Sequence, residues 1–190
     1  VIDPFQKSGG IKKLDGNLGT CIIKISSVPM EKQIIEAPAR VFESQEDVKN
    51  AFKKNELDSD SIIVVRFQGP IANGMPELHG LTPILSVLQD RGIKVALITD
   101  GRMSGASGKV PAAIHLSPEA SSSGPISKIK NGDLIRLDAL SGELNNLEKN
   151  FESREVRKKD LTKNESGLGR ELFKVFRENA KSAKYGGGIT

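Results

Sequence analysis

Apolar residues in this chain gather into short runs separated by polar, glycine-bearing stretches, and the spacing inside each run predicts its element. Cys21-Ile22-Ile23-Lys24-Ile25 is short and β-branched, the pattern of a strand. Residues 33–42 read as extended, broken by Pro38. Ser44 with Asp47 three positions on forms an S-x-x-D capping box. Val48, Ala51 and Phe52 then recur at helical spacing until the polar stretch Leu57-Asp58-Ser59-Asp60. Residues 61–67 (Ser-Ile-Ile-Val-Val-Arg-Phe) form a nearly continuous apolar run that ends at Gly69-Pro70, as expected of a strand covered on both faces.

A second helix is predicted from Thr82-Pro83, with Thr82 as cap and Pro83 at the first helical position, through Ile84, Leu85, Val87 and Leu88 to a cap at Gly92. Val95-Ala96-Leu97-Ile98 is a second buried strand and runs directly into Thr99-Asp100-Gly101. Strand, helix and strand in this order predict a βαβ unit with parallel strands. Further on, residues 133–137 and Glu143-Leu144 flank Ser141-Gly142 as a hairpin. The strongly charged residues 145–166 predict a surface helix and linker, Leu172, Phe173 and Phe176 an amphipathic helix, and Gly186-Gly187-Gly188 a flexible tail. The first 20 residues are polar, with turn signals at Gly9-Gly10 and Asp15-Gly16-Asn17. No repeat and no clean internal boundary interrupts the 190 residues, and the mix of elements is α/β or α+β, with buried strands and helices packed outside.

Composition narrows the function classes. The balance of 28 basic and 24 acidic residues gives a net charge of +4, too small and too dispersed for a nucleic-acid stripe. No apolar run approaches the ~20 residues of a membrane helix, and no signal-peptide pattern is present. The single cysteine, Cys21, lies on a predicted strand, reads as a small core residue and permits no internal disulfide, which suits a reducing compartment such as the cytoplasm. One cysteine also cannot hold an iron–sulfur cluster or a zinc ion. The chain opens on Val1-Ile2-Asp3-Pro4-Phe5 and is expected to be part of a longer polypeptide.

Two loops concentrate chemistry. One is Gly69-Pro70-Ile71-Ala72-Asn73-Gly74-Met75-Pro76-Glu77-Leu78-His79; the other is Asp100-Gly101-Arg102-Met103-Ser104-Gly105-Ala106-Ser107-Gly108-Lys109. Each follows a buried strand, and parallel sheets bind ligands at the carboxyl edge of their strands, so both loops should face one crevice. Glycines, serines, an arginine and a lysine in the second loop suit an anion nest or a structural turn. It is not a phosphate-binding Walker loop, because Met103 stands five residues before Gly108 and Val110 follows Lys109. Glu77 suits either the dipole of a short helix or a metal or acid–base role. The two histidines, His79 and His115, fit packing or surface positions as readily as a general base.

These loops resemble the dihydroxy-acid and phosphogluconate dehydratase family: residues 69–79, residues 96–115 and Ser117-Pro118-Glu119-Ala120 carry the likeness, with Leu14-Asp15-Gly16-Asn17-Leu18-Gly19 similar to the family's domain opening. The Ala72-Asn73-Gly74-Met75 and Ser104-Gly105-Ala106-Ser107 forms are similar to the phosphogluconate branch, except that Ile71 stands where that branch has Arg. The resemblance implies a swivelling β/β/α domain with barrel-like buried strands and outer helices, similar to the mobile domain of aconitase. It implies that residues 1–190 are a single carboxy-terminal domain of an enzyme whose amino-terminal domain holds an iron–sulfur cluster. The implied reaction is hydro-lyase removal of water from 6-phosphogluconate, giving 2-keto-3-deoxy-6-phosphogluconate, the Entner–Doudoroff step. The C2 proton is weakly acidic and needs a base with a metal to stabilise the enediolate, while an open iron of the cluster takes the C3 hydroxide. By position, Ser104 matches the family's base and Glu77 a ligand of its Mg²⁺, a cation that prefers oxygen. Arg102, Ser107 and Lys109, with Asn73, are candidates for contacts to the substrate's carboxylate or phosphate. The resemblance further implies a homodimer of the full-length enzyme, docking on its own amino-terminal domain, and no activity from these 190 residues alone. A related dihydroxy-acid or sugar-acid dehydratase, or a non-catalytic anion-binding module, are the competing readings.

Overall fold

The computed structural model describes residues 9–103 and 109–189. Among them, eight strands close into a barrel: β1 (Ile11–Gly16), β2 (Gly19–Lys24), β3 (Ile34–Phe42), β4 (Ser61–Val65), β5 (Val95–Thr99), β6 (Ala112–Ser117), β7 (Leu134–Asp138) and β8 (Glu143–Asn146), in the spatial order β1-β2-β6-β5-β4-β3-β7-β8. Strands β3, β4, β5 and β6 run parallel, and the remaining neighbours are antiparallel except for a single parallel bridge, Asp15 to Glu143, that closes the ring. The α/β class with barrel-like strands and outer helices is therefore what the chain adopts.

Strand alternation explains why β4 and β5 carry continuous apolar runs. Ile62, Val64, Ala96 and Ile98 point into the barrel and join Leu14, Ile23, Ala39, Leu137 and Leu144. Ile63, Val65, Val95 and Leu97 point outward, under helices α1 (Gln45–Lys53) and α3 (Leu81–Asp90), which cover them with Val48, Ala51, Leu81, Leu85 and Leu88. Both faces of each strand are dry, so alternation between polar and apolar positions disappears. At ~1.5–3 kcal/mol for each fully buried aliphatic side chain, the two clusters are the main source of stability. The capping box holds: Ser44 Oγ accepts from the Asp47 N–H at 3.1 Å. Helix α3 joins parallel β4 and β5, as the βαβ pattern requires.

Several boundaries differ from the sequence reading. Helix α3 begins at Leu81 rather than after Thr82, because the Leu81 and Thr82 N–H groups donate to Leu78 and His79 carbonyls and wind the first turn early. Pro83 still falls in that turn, where its missing N–H costs nothing. Gly92 occupies the left-handed position (φ 85°) just past the helix end. Strand β1 lies in a segment read only as polar and turn-rich; Leu14 alone faces the core, which leaves no alternation to detect. The charged residues 145–166 do not form the expected helix. Their side chains tie loops together instead: Arg154 pairs with Asp133, Asn146 donates to Asp133, and Phe151, 2% exposed, plugs the barrel. The final helix, α4 (Lys174–Asn179), is short, and Leu172, Phe173 and Phe176 remain more than half exposed. The glycine tail is folded back, with Lys181 N–H donating to the Gly188 carbonyl and Gly187 N–H to that of Ser182.

Candidate active site

Because β3 to β6 are parallel, the segments that follow them emerge at one end of the barrel. The chain leaving β4 turns at Phe67 (φ 62°) and enters a single helical turn, α2 (Pro70–Asn73), capped by Gly74 at φ 68°. Glu119, arriving from β6, serves this turn from behind. Its carboxylate accepts from the N–H groups of Ile71 at 3.1 Å and Ala72 at 2.8 Å and from the Ser121 hydroxyl. Glycine at 69 is required for this approach, since a Cβ there would lie 2.3 Å from a Glu119 carboxylate oxygen.

Asp100 sets the second loop in the same way. Completely buried, its carboxylate accepts from the N–H groups of Phe67 (3.1 Å), Gln68 (2.9 Å) and Ala120 (2.9 Å), joining the ends of β4, β5 and β6. Burial, reinforced by the Glu119 charge, pushes the Asp100 carboxyl up to about 6 against the pull of those N–H groups. The ordinary value is 3.8, so between 3.8 and about 6 the folded chain holds a proton that the unfolded chain has released. This contribution to stability is fully present below the unfolded value and is lost as pH rises through the folded one, a swing of roughly 3 kcal/mol. A carboxyl ¹³C titration by NMR is expected to show the Asp100 midpoint near 6. A midpoint under the ordinary value would mean that the backbone donors outweigh burial.

The two loops meet edge to edge. Leu78 N–H donates to the Arg102 carbonyl at 3.0 Å, and Glu77 and Arg102 form a parallel β-bridge. The Arg102 guanidinium donates to the Met75 carbonyl (2.9 Å) and to the Glu77 carboxylate (2.9 Å). Glu77 thus sits beside a cation on an extended segment, not on a helix dipole. With side chains 27% and 50% exposed, this pair adds little to stability but leaves both charges at the surface of the crevice. Lys109 is exposed on the same loop. Asn73 is committed at both ends of its amide: Nδ2 donates to Gln68 Oε1 at 3.0 Å and Oδ1 accepts from Arg170 at 2.6 Å. Ser104 and Ser107 lie outside the described residues.

His115 holds its backbone N–H to the Gly101 carbonyl at 2.9 Å with φ 60°, an uncommon conformation for a non-glycine residue. Burial and the nearby Arg102 lower its pKa, so the imidazole is neutral near pH 7. Cys21 is buried in the barrel and its thiol is pushed up to about 12, far from the thiolate that a metal cluster needs. Among the described residues no three His, Cys, Asp or Glu side chains gather to hold a metal. Glu77 fits a hard divalent cation as one oxygen ligand of a larger set; an iron–sulfur cluster does not fit this chain. Reading the sequence missed Glu119, Asp100 and Arg170 as site-building residues. Asp100 and Glu119 left a signal, a carboxylate amid small apolar residues directly after a buried strand; Arg170, 97 residues from Asn73, left none.

Comparison with known proteins gives the chain a family. A family model described as "Dihydroxy-acid/6-phosphogluconate dehydratase C-terminal" matches residues 1–187. Phosphogluconate dehydratase of Rhizobium meliloti is 54% identical over 188 residues, covering 98% of this chain and 31% of the relative. Phosphogluconate dehydratase of Escherichia coli K12 is 54% identical over 185 residues, covering 96% of this chain and 31% of the relative. Dihydroxy-acid dehydratase of Dinoroseobacter shibae is 42% identical over 147 residues, covering 76% of this chain and 25% of the relative. The chain thus spans about a third of the length of the curated relatives it matches. It belongs to the dihydroxy-acid/6-phosphogluconate dehydratase family and corresponds to that family's C-terminal part.

Proposed function

We propose that this chain supplies the base loop and a carboxylate metal ligand to a hydro-lyase that converts 6-phosphogluconate to 2-keto-3-deoxy-6-phosphogluconate and water, the Entner–Doudoroff dehydration. The observation that carries it is the edge-to-edge joining of the 69–79 and 100–109 loops through Glu77 and Arg102. The phosphorylated substrate follows from relatives named phosphogluconate dehydratase at 54% identity, against 42% for one named dihydroxy-acid dehydratase.

In this reading Ser104, as its alkoxide, accepts the C2 proton. The electrons left at C2 form the C2–C3 double bond as the C3–O bond breaks. The departing hydroxide takes a proton back from the Ser104 hydroxyl and leaves as water, and the enol then takes its keto form. Asp100 and Arg102 fix the backbone just before Ser104. Glu77 would contribute one oxygen to Mg²⁺, which when bound stabilises the enediolate. Arg102, Lys109 and Ser107 provide donors for the carboxylate or phosphate, whereas Asn73 contributes by holding its loop. The iron–sulfur cluster takes its ligands from the amino-terminal part of the longer protein, which docks here to complete the site. The full-length enzyme is read as a homodimer working in the cytoplasm, and the 190-residue chain alone as inactive; no helix among the described residues is long and apolar enough to cross a membrane.

Kinetics of the full-length protein decide the matter. Its kcat/KM is expected to be ~10- to 100-fold higher on 6-phosphogluconate than on gluconate, the worth of one or two charge-assisted bonds to phosphate. Equal efficiency on both would remove the phosphate from the proposal, and absence of any 2-keto acid product would remove dehydration.

A further inference from the structure

Residues 161–189 contribute no strand to the barrel, yet they lie against the first site loop. Asn164 Nδ2 donates to the Ala72 carbonyl at 3.1 Å. Arg170 bridges this segment to the site: its Nε donates to the Asn164 carbonyl at 2.6 Å and its Nη2 to Asn73 Oδ1 at 2.6 Å. Arg177 in turn donates to the carbonyls of Arg170 (2.7 Å) and Glu165 (3.2 Å), so the arginine is itself held in place. Beside this chain of bonds, Pro70 and Met75 share a groove of about 640 Å³ with Phe173, Phe176 and Gly187.

From Asn73 the connection continues inward. The Asn73 amide donates to Gln68 Oε1, and Gln68 Nε2 donates to the Glu43 carbonyl at 2.8 Å. The Gln68 backbone N–H is one of the three donors to Asp100. The Gln68 side chain also packs on Gly101, where a Cβ would come within 2.7 Å of Gln68 Cβ. An amide locked at both ends can adopt only one orientation: the Arg170 guanidinium, which only donates, holds Asn73 Oδ1, and Gln68, itself oriented by the Glu43 carbonyl, holds Asn73 Nδ2.

We propose that Arg170 is a positioning residue for the dehydration: through Asn73 and Gln68 it fixes the α2 turn and the start of the 100–109 loop. The C-terminal segment is then a strap over the site and not a passive tail. This rests on the function proposed above, since the loops it positions are those assigned to catalysis.

The test is a double-mutant cycle in the full-length protein with Arg170→Met, Asn73→Ala and the pair. Misplacing reacting groups by about an ångström costs up to ~100-fold, so Arg170→Met is expected to lower kcat on 6-phosphogluconate by about 10- to 100-fold with KM changed less than about threefold. If Arg170 acts through Asn73, the double variant is no worse than the poorer single one. A kcat within twofold of wild type, or effects that multiply, overturns the proposal. Should Arg170→Met not fold, Arg170→Lys replaces it in the cycle; its one ammonium cannot span both acceptors, and a kcat within twofold overturns the proposal equally. Amide hydrogen exchange gives a readout that needs no activity. The N–H groups of Asn73 and Gly74, bonded to the Gly69 and Pro70 carbonyls, are expected to exchange at least about tenfold faster in Arg170→Met. Unchanged exchange there sinks the strap, whereas a wild-type protein that makes no 2-keto acid sinks the proposed function and leaves this exchange test standing.

Discussion

Replacing Ser104 with Ala in the full-length protein is expected to cut turnover of 6-phosphogluconate by ~10²–10⁴-fold while the protein remains folded. A positioned base contributes about that much to a proton abstraction. An unperturbed serine hydroxyl is a very weak acid, so it serves as a base only where positive charge and backbone N–H groups stabilise its oxyanion. The sequence around it supplies the means: Gly101, Gly105 and Gly108 allow close backbone approach, and Arg102 and Lys109 add charge. Residues 100–102, which precede Ser104, have anchors of their own. Asp100 is anchored by three backbone N–H groups, and Arg102 is bonded to Met75 and Glu77. Removal of one hydroxyl should therefore leave the melting temperature within a few degrees. Loss of kcat with KM nearly constant is the expected signature of a group that acts mainly in the transition state. Turnover within threefold of wild type would make the loop an anion-binding element without a catalytic base.

The fold was legible where burial is two-sided. In β4 and β5 every residue is covered, either by the barrel interior or by α1 and α3, and such strands announce themselves as unbroken apolar runs. The helices were legible through their caps, Ser44 for α1 and Gly92 for α3. Strands with one buried position or with small residues were not. Strand β1 buries Leu14 among Lys12, Lys13 and Asp15, and β6 begins with two alanines. The charged run at 145–166 misled because charge density was read as a solvated helical face. Its arginine and asparagine side chains are spent on a tertiary contact, Asp133, that no local pattern encodes.

The site divides along the same line. Both loops were legible, since glycine, proline and isolated charges directly after buried strands are local signals. Their mutual placement followed from the parallel βαβ unit, and the Glu77–Arg102 bridge is its realisation. What joins the loops to the rest of the molecule was hidden. Arg170 reaches Asn73 across 97 residues and Glu119 reaches Ala72 across 47, and hydrogen bonds of that range leave no periodicity. Asn73 could be read from the sequence only as a candidate substrate contact; that its amide is engaged at both ends, by Gln68 and by Arg170, is visible only in the structure.

Glu119→Ala is expected to cost about 2–5 kcal/mol. Glu119 is 4% exposed, and its carboxylate is the acceptor for the Ile71 and Ala72 N–H groups and the Ser121 hydroxyl. Truncation strands donors away from water, at ~1–3 kcal/mol for each one left unsatisfied, and opens a void against Gly69. For a chain of this size such a loss lowers the melting temperature by ~5–15 °C, readable by urea and thermal denaturation. A cost under ~1 kcal/mol would show that the α2 turn holds without its acceptor. Glu119→Gln separates charge from hydrogen bonding. It keeps one acceptor but turns an NH₂ toward a backbone donor, so an intermediate loss is expected. The Glu119 charge is also one of the influences that raise the Asp100 carboxyl. In Glu119→Gln the Asp100 titration should therefore move below its wild-type midpoint, and the stability lost on raising pH should shrink with it. An unchanged Asp100 midpoint would assign the whole shift to burial and uncouple the two carboxylates that join β4, β5 and β6 behind the site.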